Sequence, residues 1–328
     1  MRHIRAILLL LILTMSNLLF AGSYFSNDAI SLKVLPVTYT GLPDDYLYPS
    51  YLSDPLAVNS QIAIREYSID EVHPRSDGTE THYDVTIGTR YNFIRFSPDG
   101  APDLGLEMDW GMALTTFMDA RVTDLLGIDG IYYFAVAVKP VEWASFRFTR
   151  HHICSHAGDQ LDPNGDGNAY VDFDLNPQIN EGTFVRDDYV VSAMVEPLYF
   201  LEPLAPELAR TLRVYGDFSS YIPGSDLLGW RNLTPSKYAY IWYQYGAEIE
   251  FPFAGGVLGS LFAAGQVSHW QESAYAPNYS LQAGFILPKG KPGQRMKLAF
   301  SYYDGQSLMN NFRYRRARFM GITFTIDK

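Results

Sequence analysis

The stretch RARFMGITFTI, residues 316–326, decides the fold class. In its second half the apolar residues are Met320, Ile322, Phe324 and Ile326, and the residues between them are Gly321, Thr323 and Thr325. Successive side chains of a β-strand point to opposite faces, so this alternation predicts a strand with one apolar face and one polar face. The stretch 141–149 shows the same pattern, because Phe146 and Phe148 alternate with Arg147 and Thr149.

Eleven further segments share this composition, which is rich in Tyr, Phe, Val and Ile and bounded by turn residues. With the opening stretch, they give predicted strands at 61–69, 83–96, 104–118, 128–138, 141–154, 188–200, 210–222, 238–251, 257–270, 278–287, 294–304 and 316–326. Long strands with one apolar face are typical of a membrane barrel wall. We therefore predict an all-β protein, a single antiparallel transmembrane β-barrel of about 12 strands. The alternative is a soluble secreted sandwich or barrel.

The links between the predicted strands also indicate a membrane barrel. Those at 139–140, 253–256 and 287–293 are short. Longer links lie between them, at 70–82, 155–187, 223–237, 271–277 and 305–313. Strict alternation of short periplasmic turns and long external loops is the pattern of outer-membrane barrels.

The chain begins with MRHIRAILLLLILTMSNLLFAGS, which has the features of a secretory signal peptide. Arg2 and Arg5 precede a short apolar core, and Ala21 offers a small residue for cleavage. An uncleaved membrane anchor is the alternative. We expect a signal peptide at 1–21, a periplasmic N-terminal arm at 22–57 and an outer-membrane β-barrel at 58–328. The expected location is the bacterial outer membrane, reached through the barrel-assembly machinery.

Composition narrows the partners. The chain has 25 Lys and Arg against 36 Asp and Glu, a formal net charge of −11. Nucleic-acid binding needs clustered basic residues, so we expect no nucleic-acid partner; outer-membrane lipid and lipopolysaccharide are the expected contacts. The single cysteine, Cys154, excludes an internal disulfide.

The stretch RHHICSHAGDQLDPNGDGNAYVDFD, residues 150–174, concentrates histidines, the cysteine and spaced aspartates at the end of a predicted strand. A hydrolytic interpretation rests on His152 and Cys154, which share a strand face at positions i and i+2. That face continues from Phe148, which we assign to lipid. The pair resembles the His-x-Ser pair of outer-membrane phospholipase, with Asp159 or a neighbouring strand orienting the imidazole. The candidate catalytic residues are His152, Cys154, Ser155, His156 and Asp159.

Metal binding is the second interpretation of this stretch. The opening of DPNGDGNAYVDFD follows the D-x-N-x-D-G pattern of a calcium loop. The candidate ligands of Ca²⁺ are Asp162, Asn164, Asp166, Asn168, Asp172 and Asp174. Phe173 holds the position where an EF-hand loop has an acid, and a solvated acidic turn is the alternative. The histidines 151, 152 and 156 could instead hold zinc.

A structural role is the third interpretation, and the default. The histidines, Ser155 and Asp159 would form a hydrogen-bonded network that closes the strand end and pins the loop. At the same side of the barrel we expect Asp304 at the mouth and Arg316 and Arg318 pointing inward. There they would pair with luminal acids, or select anionic solutes or grip lipopolysaccharide phosphates. The five tryptophans are expected in interfacial girdles.

Several motifs resemble a bacterial family known as domain of unknown function 1207. They are YLSDPLAV (51–58), HHICSHAGDQ (151–160), LRVYGDFS (212–219), QYGAEIEF (244–251) and YYDGQSLMNNFRYRRARFMGITF (302–324). They occur in the family's order and span most of the chain. Cys154 and Gln160 depart from the serine and glutamate that are usual in the central motif. The resemblance implies an outer-membrane barrel and no particular reaction.

We therefore predict an outer-membrane barrel without enzymatic activity, a binding, envelope or small-solute barrel. An outer-leaflet lipid hydrolase and a purely structural barrel are the alternatives. About twelve strands enclose a narrow interior that side chains can largely fill, so a large open porin is not expected.

Overall fold

The computed structural model describes residues 30–34, 37–72, 80–120, 125–158, 183–222, 241–253, 257, 259–288, 295–313 and 315–327. Within these ranges the ordered secondary structure is almost entirely β-strand, with short 3₁₀ turns such as Asn310–Phe312. No helix among the described residues is long and apolar enough to cross a membrane.

Fourteen strands are formed by the described residues, and the last twelve make the barrel wall. The two N-terminal strands are β1 (Ile30–Val34) and β2 (Val37–Gly41). The barrel strands are β3 (Ser60–Asp70), β4 (Glu80–Pro98), β5 (Gly105–Asp119), β6 (Leu125–Val141), β7 (Ala144–Ala157), β8 (Thr183–Val195), β9 (Leu212–Tyr221), β10 (Ile241–Pro252), β11 (Ser260–Trp270), β12 (Pro277–Ile286), β13 (Arg295–Gln306) and β14 (Arg316–Asp327).

Each of the twelve predicted strands overlaps one of these barrel strands, so the predicted fold class is confirmed. Every neighbouring pair is antiparallel, from β3–β4 around to β13–β14. The first and last barrel strands pair as well, with Ile62 opposite Phe324 and Ile64 opposite Ile322. This pairing closes the sheet on itself and leaves no free edge between β14 and β3.

The alternation in β14 separates the two faces of the wall as expected. Thr323 and Thr325 face the interior and are each 2% exposed, whereas Ile322 is 59% exposed on the outside. The other strands repeat this arrangement, as Phe134 on β6 and Val191 on β8 are 57% and 56% exposed. The barrel therefore has an apolar exterior and a polar interior, the inverse of a water-soluble protein.

The links do not alternate as strictly as predicted. At the end of the barrel that holds Asp327, the link 142–143 is short, but the link 196–211 is long and contains the 3₁₀ turn Tyr199–Leu201. At the opposite end, which we call the long-loop end, the link 120–124 is short. The prediction of strict alternation is wrong at these two links, which were not among the links on which it was based.

The predicted N-terminal arm, residues 22–57, divides into two parts where the structure describes it. The β1–β2 hairpin adds to the wall, because β2 pairs with the end of β4 from Ile94 to Pro98. Leu42 follows with a φ of 51°, a conformation uncommon outside glycine, and its N–H donates to Phe93 O at 3.1 Å. This turn directs the chain away from the wall.

Residues 43–59, which we call the luminal segment, then enter the barrel, so this part of the predicted arm lies in the lumen. On the β4–β5 side of the lumen, Leu47 N–H donates to Glu107 Oε1 at 3.2 Å. Arg90 donates to the carbonyl oxygen of Tyr48 at 3.1 Å. Glu107 is fully buried and Arg90 is 3% exposed, so these contacts form deep inside the barrel.

The luminal segment is also bonded to the opposite side of the lumen. Leu52 N–H donates to Glu248 Oε2 at 2.7 Å, and Lys297 Nζ donates to Leu52 O at 2.5 Å. Ser280 Oγ donates to the carbonyl oxygen of Ser53 at 2.6 Å. Inward polar residues of a barrel must find partners, and here the backbone of the segment supplies them. The segment therefore spans the lumen and joins its two sides.

Candidate functional site: the luminal cavity and the histidine-rich strand

Strand β7 carries the histidine-rich stretch, and its side chains point alternately to the lumen and to the outside. His151 faces the lumen, and its Nδ1 lies 3.0 Å from Asp188 Oδ1 on β8. His152 faces outward, and its Nδ1 lies 2.7 Å from Asp187 Oδ1. The register pairs His151 with Asp188 and His152 with Asp187. Two adjacent histidines thus form ion pairs or hydrogen bonds with two adjacent aspartates on opposite faces of one wall.

The outward pair contains part of the predicted hydrolytic site. His152 stacks on Tyr132 with ring centroids 4.5 Å apart, and Arg150 lies 4.0 Å from the carboxylate of Asp187. Cys154 lies on the same outward face, as predicted. Among the described residues, the His152 ring bonds to Asp187 and no hydrogen bond joins it to Cys154. An acid on the neighbouring strand orients the imidazole, but a contact that would activate the thiol is missing.

The histidines 151, 152 and 156 do not form the predicted zinc site. His151 faces the lumen, whereas His152 and the exposed His156 lie on the outside of β7. The alternation of a β-strand separates residues of opposite parity by the thickness of the sheet. The structure therefore contradicts a zinc site made of all three.

Ser155 takes part in a network of the kind that the structural interpretation predicted. It is fully buried on the luminal face and donates to Asp129 Oδ1 on β6. Asp129 Oδ2 accepts from the backbone N–H of Asn310 at 3.0 Å and from its Nδ2 at 2.6 Å. The network pins the link 307–315. That link packs Phe312, which is fully buried, into the long-loop end of the lumen.

A cavity of about 150 Å³ remains between the luminal segment and the long-loop end. His151, Ile153 and Thr149 of β7 line it from one side. Trp242 and Trp270 line it at the ends of β10 and β11. These two tryptophans were predicted to lie in interfacial girdles. Instead they face the lumen, because each lies on the inward face of its strand, at the strand end that borders the cavity.

The polar lining of the cavity is connected across four elements. Trp242 Nε1 donates to Asp188 Oδ2 at 3.0 Å, so the inward His–Asp pair also fixes the indole. Tyr51 of the luminal segment donates to Asp217 Oδ1 at 2.6 Å. Gln244 Nε2 donates to Asp217 Oδ2 at the same distance of 2.6 Å. These bonds hold the lining groups in fixed orientations, which favours binding over free passage of solute.

The cationic side chains beside the cavity are compensated by acids or by aromatic rings. Arg147 donates to Asp109 at 2.7 Å, and Arg90 lies 3.6 Å from the same carboxylate. The guanidinium of Arg313 lies 4.7 Å from the ring centroid of Trp270. The cavity therefore combines flat aromatic faces with amide, hydroxyl and paired charged groups.

The three residues predicted at the lumen or mouth lie elsewhere. Asp304, Arg316 and Arg318 are on the outward face, where Asp304 bonds Arg316 and accepts from Arg318 at 2.9 Å. Arg318 has the parity of Ile322, and its side chain is 42% exposed. The prediction that Arg316 and Arg318 point inward is wrong. They stand at the strand ends, where the outer face leaves the apolar belt and charged groups can meet water.

The remaining predicted site residues lie outside the described residues. They are Asp159 and the predicted calcium ligands Asp162, Asn164, Asp166, Asn168, Asp172 and Asp174. The calcium loop stays a prediction. The luminal segment was missed as part of the site, although the aromatic and apolar residues between Tyr46 and Val58 are an unusual composition for a free arm.

No protein-family model and no curated protein sequence matches the chain. Several solved structures have a similar backbone. The calcium-bound dimer of outer membrane phospholipase from Salmonella typhi has 10% identity and a TM-score of 0.46, over 86% of this chain and 95% of that one. The phospholipase A of Escherichia coli has 9% identity and a TM-score of 0.44, over 84% and 99%. The NanC porin has 9% identity and a TM-score of 0.39, over 82% and 98%. Similarity at this level assigns no activity or substrate to the chain.

Proposed function

We propose that the chain is an outer-membrane β-barrel that its own luminal segment closes and that binds a small polar solute in the remaining cavity. The observation that carries this proposal is the double attachment of residues 43–59. Leu47 is bonded to Glu107 on one side of the lumen, and Leu52 is bonded to Glu248 and Lys297 on the other. A chain crossing the lumen in this way obstructs an open pore.

The apolar exterior supports a place in a bilayer. Outward side chains such as Phe134, Val191 and Ile322 are more than half exposed, whereas inward Asp84, Glu107 and Ser155 are fully buried. A closed barrel satisfies every backbone hydrogen bond within the wall, as the hydrocarbon core requires. Barrels of this kind belong to outer membranes, so export by the predicted signal peptide and insertion by the barrel-assembly machinery are part of the proposal.

The cavity supports a small, uncharged polar solute. Its volume of about 150 Å³ is below the roughly 300–1,000 Å³ of pockets for drug-sized ligands. Trp242 and Trp270 offer flat faces, and Gln244 and Gln266 offer amide groups. The nearby arginines are already paired with acids or packed on rings, which disfavours a strongly anionic ligand. A monosaccharide fits this chemistry better than a phosphate.

Tryptophan fluorescence of the refolded chain in detergent tests the proposal. We expect glucose, galactose or another neutral monosaccharide to change the emission saturably, because two indoles line the cavity. The variant Gln244→Leu should lose this response, and Gln271→Leu, which lies in a link outside the cavity lining, should keep it. A flat titration with every neutral sugar and a saturable response to inorganic phosphate would overturn the assignment of solute class.

The lipid-hydrolase and purely structural interpretations have less support. A lipid hydrolase would use His152 and Cys154, but no hydrogen bond joins these two side chains, both of which the structure describes. A purely structural barrel would bind no solute at all, which the titration distinguishes. Membership of the domain of unknown function 1207 family rests on the five motifs and is part of the proposal.

A further inference from the structure

Three metal-ligating side chains converge at the long-loop end of the β3–β4 pair. Asp70 ends β3, Glu80 begins β4, and His82 follows two residues later on the same face as Glu80. His82 Nε2 lies 3.3 Å from Asp70 Oδ2 and 3.3 Å from Glu80 Oε2. The three ligand atoms lie within 4.8 Å of one another. None of these residues lines the cavity described above.

The separations suit a cation better than hydrogen bonds. A nitrogen carries at most one proton, so Nε2 cannot donate to both carboxylates with good geometry. Both separations also exceed the usual N–H···O range of about 2.7–3.2 Å. Ligands about 2.0–2.1 Å from a tetrahedral Zn²⁺ lie roughly 3.3–3.4 Å apart, which matches the separation of His82 Nε2 from each carboxylate oxygen.

The surroundings are buried and rich in negative charge. Glu80 and His82 are 6% and 4% exposed. Asp84, two residues beyond His82 on the inward face of β4, is fully buried. Asp84 Oδ2 bonds Arg65, while Asp84 Oδ1 has no hydrogen-bond partner among the described residues. Burying carboxylates is costly unless positive charge compensates them, and a cation bound among these side chains would add such charge beside Arg65.

We propose that Asp70, Glu80 and His82 bind a zinc ion. An imidazole nitrogen with two carboxylate oxygens is a ligand set for zinc, whereas calcium and magnesium select oxygen ligands alone. The ion would join the end of β3 to the start of β4 and stabilise the rim of the barrel there. Three protein ligands leave a fourth position for water. This inference does not depend on the solute proposal.

Zinc titration of the chelator-treated, refolded full chain tests the site. Isothermal titration calorimetry should give one zinc ion per chain, and thermal unfolding should move to higher temperature with zinc. The variant His82→Gln should lose affinity by at least roughly tenfold. The matched control is His269→Gln, because His269 Nδ1 lies 2.9 Å from the backbone oxygen of Tyr275 and the residue is on another part of the wall.

A second variant and a spectroscopic readout keep the test decisive. Asp70→Asn preserves volume, so it replaces His82→Gln if that variant does not refold to the heat-modifiable form. The zinc absorption edge should show nitrogen and oxygen ligands with a single imidazole. Undiminished affinity in the variants, absence of stoichiometric binding to the wild type, or a spectrum with two imidazoles would each overturn the proposal.

Discussion

The ammonium group of Lys297 on β13 donates a hydrogen bond of 2.5 Å to the carbonyl oxygen of Leu52, 245 residues earlier in the chain. Lys297 also donates to Gln282 Oε1 at 2.9 Å and is 8% exposed. A buried ammonium group is costly unless hydrogen-bond acceptors surround it. Here one of its acceptors belongs to the luminal segment, so Lys297 holds that segment to the far wall. Inward side chains of the wall therefore hold in place the segment that closes the lumen.

Replacing Lys297 with methionine should loosen the luminal segment. The substitution leaves the buried oxygens of Leu52 and Gln282 without their donor, so we expect a loss of about 1–3 kcal/mol in the free energy of unfolding. Urea unfolding in detergent measures this loss. Lys139→Met, at the end of β6, is the control and should change stability by less than about 0.5 kcal/mol. Equal effects of the two substitutions would argue against the anchoring role.

An arginine placed on the apolar belt should destabilise the barrel according to its depth. Ile322→Arg lies at mid-wall, opposite Phe300 and Ile64, and should cost about 2–4 kcal/mol in lipid vesicles. Ser68→Arg, on the outward face near the end of β3, should cost about 0–1 kcal/mol. The measurement is urea unfolding of the vesicle-embedded protein. A soluble barrel would show little loss at either position.

Removing Asp129 should release the link 307–315. Asp129→Ala deprives Ser155 and Asn310 of their common acceptor. We expect trypsin to cut at Arg313 or Arg315 faster than in the wild type, and stability to fall by about 1–3 kcal/mol. Glu207→Ala, at an exposed position of the opposite end, controls for loss of a carboxylate. An unchanged cleavage rate would show that the network does not hold the link.

The outward His152–Asp187 pair should not make the chain a lipase. Since no hydrogen bond joins His152 to Cys154, we expect no fatty-acid release from phospholipid micelles or lipopolysaccharide, with or without calcium. The assay compares wild type with Cys154→Ala. Release by the wild type that the substitution abolishes would restore the hydrolase interpretation.

Local alternation was sufficient to predict the barrel strands, because the wall of a barrel repeats a period of two residues along each strand. The same rule misplaced Arg316 and Arg318, since polar residues were assigned to the lumen. Near strand ends the outer face also meets polar surroundings, so polarity no longer indicates direction there. Parity with Ile322 was the better guide.

The site itself could not be predicted from local patterns. Tyr51 meets Asp217, and Leu52 meets Glu248 and Lys297, across separations of 166 to 245 residues. Such contacts depend on the register of all twelve strands and on the path of the luminal segment. From the sequence we expected that Asp159 or a neighbouring strand would orient the His152 ring. Naming Asp187 as the partner required the β7–β8 register.

The conductance of the full chain in planar bilayers tests the central claim most directly. Insertion should first be verified by protease protection and by heat-modifiable migration of the same preparation. We predict no sustained open level, because residues 43–59 cross the lumen and are bonded to both sides. A steady conductance of the size seen with open porins, from protein shown to be inserted, would contradict it.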